Sequence, residues 1–80
     1  MKNGKKLIDI IGIDRVKKLT DLAIALNLNA DDILNKLNNK AFLFAGTGLI
    51  DNPDQVYIVA CDLLIAELKG SLDLLKGLKQ

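Results

Sequence analysis

The stretch from Val56 to Leu68 is almost entirely apolar and carries only two charged residues, Asp62 and Glu67. Polar residues recur at seven-residue intervals, at Gln55, Asp62 and Lys69. A helix here therefore has one narrow polar stripe, and the rest of its surface is apolar. Such a helix is either central in its domain or shared with another chain. It is too short to span a bilayer, and Asp62 interrupts its apolar surface. The rest of the chain must therefore be arranged around this helix.

Local signals mark both ends of the helix. Asn52 can cap its first turn, and Pro53 suits the first helical position because no hydrogen bond is lost there. Gly70 is typical of a left-handed C-terminal stop. We therefore expect a central apolar helix over 53–69. A short C-terminal helix over 71–79 is predicted to follow, with leucines at positions 72, 74, 75 and 78.

The N-terminal segment is basic and then briefly apolar. Residues 1–4 are predicted to be a flexible basic N-terminus, and Lys5 to Ile11 a short helix that ends near Gly12. The segment starts like a signal peptide, but its apolar run is short and is broken by Asp9. No small-residue cleavage site follows, so we expect a cytoplasmic protein.

Residues 14–38 predict two helices joined by a tight turn. Asp14 is a good N-cap for the first helix, whose apolar residues recur at three- and four-residue spacings. Asn27 and Asn29 break the pattern because Asn tolerates the left-handed conformation of a tight turn. Asn29 is also predicted to cap the second helix, which should end near Asn39.

Residues 40–51 depart from the helical pattern. We expect an apolar loop here, with the side chains of Phe42 and Phe44 packed into the core. A very short hairpin over 42–50 is the alternative. Gly46-Thr47-Gly48 lacks the lysine and the flanking strand and helix of a phosphate-binding loop. Together these elements predict an all-α fold, a single small domain of four to five helices containing a helix-turn-helix-like pair.

Several functions conflict with the composition. The chain has one cysteine, Cys61, and no histidine, which leaves no intrachain disulfide, no ordinary zinc site and no Cys–His nucleophile pair. We expect neither an enzyme nor a protein with a cofactor or a metal. The net charge of +1 gives no global attraction to nucleic acid or to an anionic membrane.

The turn region resembles a known motif. The pattern of a small residue, a turn residue and later aliphatic residues is typical of DNA-binding helix-turn-helix domains. Here the pattern is formed by Leu22-Ala23, Leu26, Asn27, Leu28, Ile33-Leu34 and Leu37. These positions more specifically resemble the N-terminal helical module of bacterial translation initiation factor two, and the resemblance covers roughly residues 16 to 58. Ala41 and Asn29 depart from that family, which usually has Gly and Ser there. The resemblance implies a compact helical fold more than it implies RNA or ribosome binding.

A nucleic-acid-binding regulator is the alternative function. Its binding residues would be Lys5, Lys6, Arg15, Lys17, Lys18 and Lys36. The start of the second helix, which meets base edges in a DNA reader, carries Asp31 and Asp32 instead of a basic residue. Two carboxylates beside a phosphate chain are repulsive, which makes sequence-specific DNA binding the weaker hypothesis.

The favoured hypothesis is a non-enzymatic helical module that self-associates, as a dimer, and binds another macromolecule, a protein. An apolar face left exposed on the central helix would be costly in a soluble monomer, so part of it should be an interface. Alternatively, the flanking helices and the 40–51 loop cover that face completely. The predicted interface residues are Tyr57, Ile58, Ile65, Leu72 and Leu75.

Overall fold

The computed structural model describes residues 6–78, which form four helices. They are α1 (Leu7–Ile11), α2 (Ile13–Leu26), α3 (Ala30–Thr47) and α4 (Pro53–Leu78). No strand occurs within this range, so the all-α single domain is confirmed and the hairpin over 42–50 is not formed. The predicted flexible N-terminus over 1–4 lies outside the described residues.

Gly12 separates α1 from α2. Its backbone has φ 88° and ψ 156°, a region that is accessible almost only to glycine. The Gly12 N–H donates to the Ile8 carbonyl at 2.9 Å, and the Gly12 carbonyl accepts from the Val16 N–H at 3.2 Å. Gly12 therefore closes α1 and opens α2. The expectation that Asp14 caps α2 is wrong, since Asp14 lies inside the first turn.

The turn between α2 and α3 forms as predicted. Asn27 is left-handed (φ 60°, ψ 42°), and the next N–H, that of Leu28, donates to the Ala23 carbonyl at 2.8 Å. Asn29 then caps α3. Its side-chain oxygen accepts from the Asp32 N–H at 2.8 Å, and the Asp32 carboxylate accepts from the Asn29 N–H at 3.3 Å. This reciprocal capping box fixes where α3 begins.

Loss of this cap has a predictable cost. Asn29→Ala should lower the free energy of unfolding by about 1 kcal/mol, because the N–H of Asp32 loses its acceptor. Asn29→Ser should cost less, since serine also caps. Urea unfolding monitored by circular dichroism measures both changes. An unchanged free energy of unfolding for Asn29→Ala would show that the cap contributes nothing.

Helix α3 continues well beyond the predicted end at Asn39. It runs through the segment expected to be a loop and ends at Thr47, where Gly48 caps it in the left-handed conformation. The physical reason is that Ala41 extends the buried stripe of Ile33 and Leu37 by one more turn. Phe42 follows Ala41 directly and so points away from the core.

Helix α4 also runs past its predicted stop. It is one helix from Pro53 to Leu78, so the break at Gly70 and the separate helix over 71–79 are wrong. Glycine in a helix interior costs about 1 kcal/mol, whereas continuing the helix keeps its hydrogen bonds. Continuation also lets Leu72 pack against the core.

Helix α4 is the centre of the domain and packs against α1, α2 and α3. The core contains no buried polar side chain among the described residues. Its most deeply buried members lie on α1, α3 and α4 and are Ile11, Leu37, Ala60, Cys61 and Leu64. The Asn52 side chain accepts from the Asp54 N–H at 2.9 Å, so α4 starts where the sequence indicates.

The lengths of α3 and α4 leave one end of α4 uncovered. The two helices are joined by the short segment 48–52 and form an antiparallel hairpin. Since α4 has 26 residues and α3 has 18, α4 extends about 12 Å further at 1.5 Å per residue. Buried residues stop at Leu68. We call residues 71–78 the overhang.

Candidate interaction surface

Large apolar side chains are exposed near the α3–α4 turn. Phe42 is 79% exposed, Leu43 68% and Leu49 83%, and Leu63 on α4 is 44% exposed. Leu43 and Leu63 line the same shallow cavity of about 210 Å³, which joins the exposed faces of α3 and α4. We call these four residues the hairpin end. Because each lies outside the core, they can meet another molecule without unfolding the domain.

A second apolar surface is a groove between α1, α2 and the start of α3. It has a volume of about 350 Å³. Ile24 and Leu34 at its margin are 74% and 41% exposed. The only polar side chain in its lining is Thr20, whose hydroxyl donates to the Val16 carbonyl at 2.8 Å. The full lining, which we call the groove, is Leu7, Val16, Leu19, Thr20, Ala23, Ile24, Leu28, Ala30, Ile33 and Leu34.

The overhang is the third apolar surface. Leu74, Leu75 and Leu78 are 72%, 45% and 82% exposed, and Leu72 is half-buried. Leu72 and Leu75 continue the stripe that is buried further up α4 at Cys61, Ile65 and Leu68, at the same three- and four-residue spacing. The core-facing side of α4 therefore continues past the helices that cover it.

The predicted interface residues are distributed over core and surface. Leu75 is exposed and Leu72 is half-buried at the end of α4. Tyr57 and Ile58 are half-buried, and the Tyr57 hydroxyl donates to the Asn38 side chain at 3.0 Å. Ile65 is only 7% exposed, so its assignment to an interface is wrong and it belongs to the core.

Sequence reasoning missed the hairpin end and Ile24. A loop over 40–51 would have turned Phe42 inward, whereas a helix with Ala41 in the core turns it outward. The signal was present in the spacing of Ile33, Leu37 and Ala41, which is the period of a helix.

The described basic residues of the alternative function lie on three segments of the chain, and one of them is paired. Lys5 lies outside the described residues. Lys6, Lys17, Lys18 and Lys36 are exposed on three different segments, and Arg15 is engaged in an ion pair. The outer face of α3 presents acidic and amide side chains, namely Asp31, Asp32, Asn35, Asn38 and Asn39. This face offers no arginine or lysine to base edges at the start of α3.

Arg15 ties α2 to α4 through Asp62. Arg15 Nε donates to Asp62 Oδ1 at 2.7 Å and Nη2 donates to Oδ2 at 3.1 Å, while Nη1 donates to the Ile11 carbonyl at 3.2 Å. The hydrogen bond from Arg15 holds the pKa of Asp62 below its usual range. Both side chains are substantially exposed, 35% and 54%, so solvent screening keeps the contribution below about 1 kcal/mol.

This ion pair predicts a pH dependence of stability. Because the folded-state pKa of Asp62 lies below its unfolded value, the pair stabilises the fold above the unfolded pKa, near 4. The contribution is lost as the pH falls through the folded-state pKa. Asp62→Asn should therefore destabilise the domain at pH 7 but make little difference in strong acid. Urea midpoints at the two pH values measure this, and an equal deficit at both would contradict it.

Cys61 is fully buried in the core beside this ion pair. Burial, the largest cause, and the nearby Asp62 charge raise the pKa of its thiol to about 11. The thiol is therefore protonated at neutral pH and does not act as a nucleophile.

A thiol reagent should consequently react with Cys61 only when the domain opens. We expect negligible reaction with Ellman's reagent at pH 8 in native buffer and full reaction in denaturing urea. Fast labelling of the native protein would show that the core around α4 is open.

Within residues 6–78, no group of three or more Cys, Asp and Glu side chains is placed to hold a metal ion. Over the same range, no helix has the length and apolar character needed to cross a membrane. No protein-family profile, curated protein or solved structure matches this chain.

Proposed function

We propose that this chain is a non-enzymatic helical interaction module that self-associates and binds a second protein through apolar helical surface. The observation that carries the proposal is the hairpin end. There Leu43 of α3 and Leu63 of α4 are exposed and line one cavity, and Phe42, the residue before Leu43, is 79% exposed. Clustered apolar side chains on a small soluble domain mark an interaction site more often than scattered single ones do.

The form of the hairpin end favours a protein as the occupant. Phe42, Leu43 and Leu63 lie on two packed helices, which hold these three side chains in place before any partner binds, and Leu49 lies in the segment between the helices. Lys40 pairs with Glu67 at the edge of the same surface. An apolar centre with a charged margin is the usual composition of a protein–protein interface.

Three observations about the chain's reactive groups support a non-enzymatic function. The sequence has no histidine, and its one thiol is buried and protonated at neutral pH. The pKa of Asp62 is lowered by a structural ion pair, which keeps it ionised and satisfied rather than free to transfer a proton. These groups are explained by packing and by helix contacts.

The test is capture of partners from the native host with a tagged chain. The double variant Phe42→Ser, Leu43→Ser should lose the retained proteins, because both side chains are exposed and contribute apolar area at the contact. Asn39→Ser is the matched control on the same helix and should retain them. Retention of the same proteins by the double variant, or of none by the unaltered chain, would contradict partner binding at this surface.

A further inference from the structure

A cleft of about 490 Å³ lies between the later part of α3, the segment 48–52 and the first two turns of α4. Phe42, which belongs to the hairpin end, also lines this cleft. Since Phe42 is 79% exposed, a molecule that covers it at the hairpin end lies at the cleft as well. The cleft is therefore next to the surface that carries the proposed function.

The lining of the cleft is apolar apart from a few polar groups. Phe42, Ile50 and Val56 contribute apolar side chains to it. The Tyr57 hydroxyl donates to the Asn38 side-chain oxygen at 3.0 Å, so these two polar residues of the lining bond each other. Asp51 is the one charged residue in the lining. An apolar cavity with few polar groups is typical of a binding site, and those groups determine which ligand it accepts.

The carboxylate of Asp51 has no structural role within residues 6–78. The Asn52 side chain, and not that of Asp51, caps α4, because it accepts from the Asp54 N–H at 2.9 Å and from the Gln55 N–H at 3.4 Å. Asp51 is exposed and makes no hydrogen bond or ion pair with the described part of the chain. Its carboxylate is therefore available to another molecule.

The surroundings of the cleft carry an excess of negative charge. Residues 41–61 contain Asp51 and Asp54 but no lysine or arginine. The two ion pairs that flank this stretch are each neutral, namely Lys40 with Glu67 and Asp62 with Arg15. Lys36 lies two residues before Asn38, and so about 200° further around α3, on the side away from the cleft. The charge here therefore favours a cationic group.

We propose that the partner bound at the hairpin end places a lysine or arginine side chain, next to an apolar residue, in the cleft, where it pairs with Asp51. The inference rests on partner binding in the proposed function and specifies the chemistry of the partner. Both basic side chains have an apolar stem and a charged end, which match the apolar lining and the carboxylate. An acidic partner would be repelled.

Desolvation gives the same preference. A partner that covers the cleft removes water from the Asp51 carboxylate. Burying a carboxylate costs free energy unless a counter-charge or a hydrogen-bond donor replaces the water. A wholly apolar segment supplies neither, whereas a lysine or arginine supplies both.

Selection of random peptides displayed on phage against the immobilised full chain tests the chemistry. Phages that also bind the Phe42→Ser variant are discarded, so that only peptides bound at this surface remain. The enriched peptides should contain a lysine or arginine beside an apolar residue. Enrichment of apolar peptides without a basic residue would overturn the inference but leave partner binding at the hairpin end in place. Enrichment of no peptide would also overturn it, and capture from the native host then decides the proposed function separately.

Calorimetry with one enriched peptide tests the contact with Asp51. Replacing the basic residue of the peptide with norleucine keeps the apolar stem and should weaken binding to the unaltered chain about fivefold, as for an exposed ion pair. The same replacement should have no effect on binding to Asp51→Asn, because the pair is already broken there.

Asp73→Asn is the matched control for Asp51→Asn. It makes the same change of charge at an exposed residue of α4, about 30 Å along the helix from Pro53 at 1.5 Å per residue. Asp73→Asn should respond to norleucine like the unaltered chain. An equal loss of affinity on Asp51→Asn and on the unaltered chain, or no loss on either, would overturn the inference.

Discussion

Leu37→Ala is expected to destabilise the domain by about 3 kcal/mol, within the range for truncating a fully buried leucine. Leu37 is 0% exposed and lies in the core where α3 packs on α4. Alanine leaves a cavity there, because Ala60 and Cys61 on α4 are small and equally buried. A domain of this size has a total stability on the order of 5 kcal/mol, so more than half of it should disappear.

Urea unfolding followed by circular dichroism measures the loss. Leu34→Ala is the matched control, being the same substitution one turn earlier on α3 at a side chain that is 41% exposed. It should cost less than about 1 kcal/mol, since surface changes seldom cost more. Equal losses at the two positions would contradict the placement of Leu37 in the core.

The second large effect is on stability: replacing Gly12 with alanine should destabilise the domain, and replacing Gly70 with alanine should stabilise it. Gly12→Ala is expected to destabilise the domain by about 1–3 kcal/mol because Gly12 has φ 88° and ψ 156°. No atom lies within 4 Å of an added Cβ, so the cost comes from the backbone alone. Gly70→Ala is expected to stabilise it by about 0.5–1 kcal/mol, since Gly70 lies inside α4 with open space around it.

Thermal or urea unfolding of Gly12→Ala and Gly70→Ala measures the two changes in stability. A loss of stability for Gly70→Ala would indicate that α4 breaks at Gly70, as its sequence alone predicts. No loss for Gly12→Ala would indicate that residue 12 does not need a positive φ to join α1 and α2.

The parts of the fold that the sequence predicted are those set by local hydrogen bonding. Asn29 and Asn52 have side chains that cap the next helix, and Pro53 suits the first helical position, where no backbone hydrogen bond is lost. The ends at Asn39 and Gly70 were mispredicted because their signals are weak preferences of about 1 kcal/mol or less. Burial of Ala41 and of Leu72 against the rest of the chain outweighs them, and that contribution is tertiary.

The candidate site was less predictable than the fold. A helical α3 places Phe42 and Leu43 outside, so an error in one helix end reversed the expected position of Phe42, whereas Phe44 packs against the core. Leu72 is half-buried and Leu75 is 45% exposed, and their role in an interface stays a prediction. Ile65 was misplaced because residues on an almost uniformly apolar helix cannot be assigned to a face until its neighbours are known.

Self-association through exposed apolar surface is the central claim, and sedimentation equilibrium of the unaltered chain tests it most directly. Measured from low to high micromolar concentration, the average mass should rise from that of one chain towards that of two. Raising the salt concentration should weaken the dimer only modestly, because apolar contact dominates and the charges lie at the margin. A mass equal to one chain at every concentration would contradict the account.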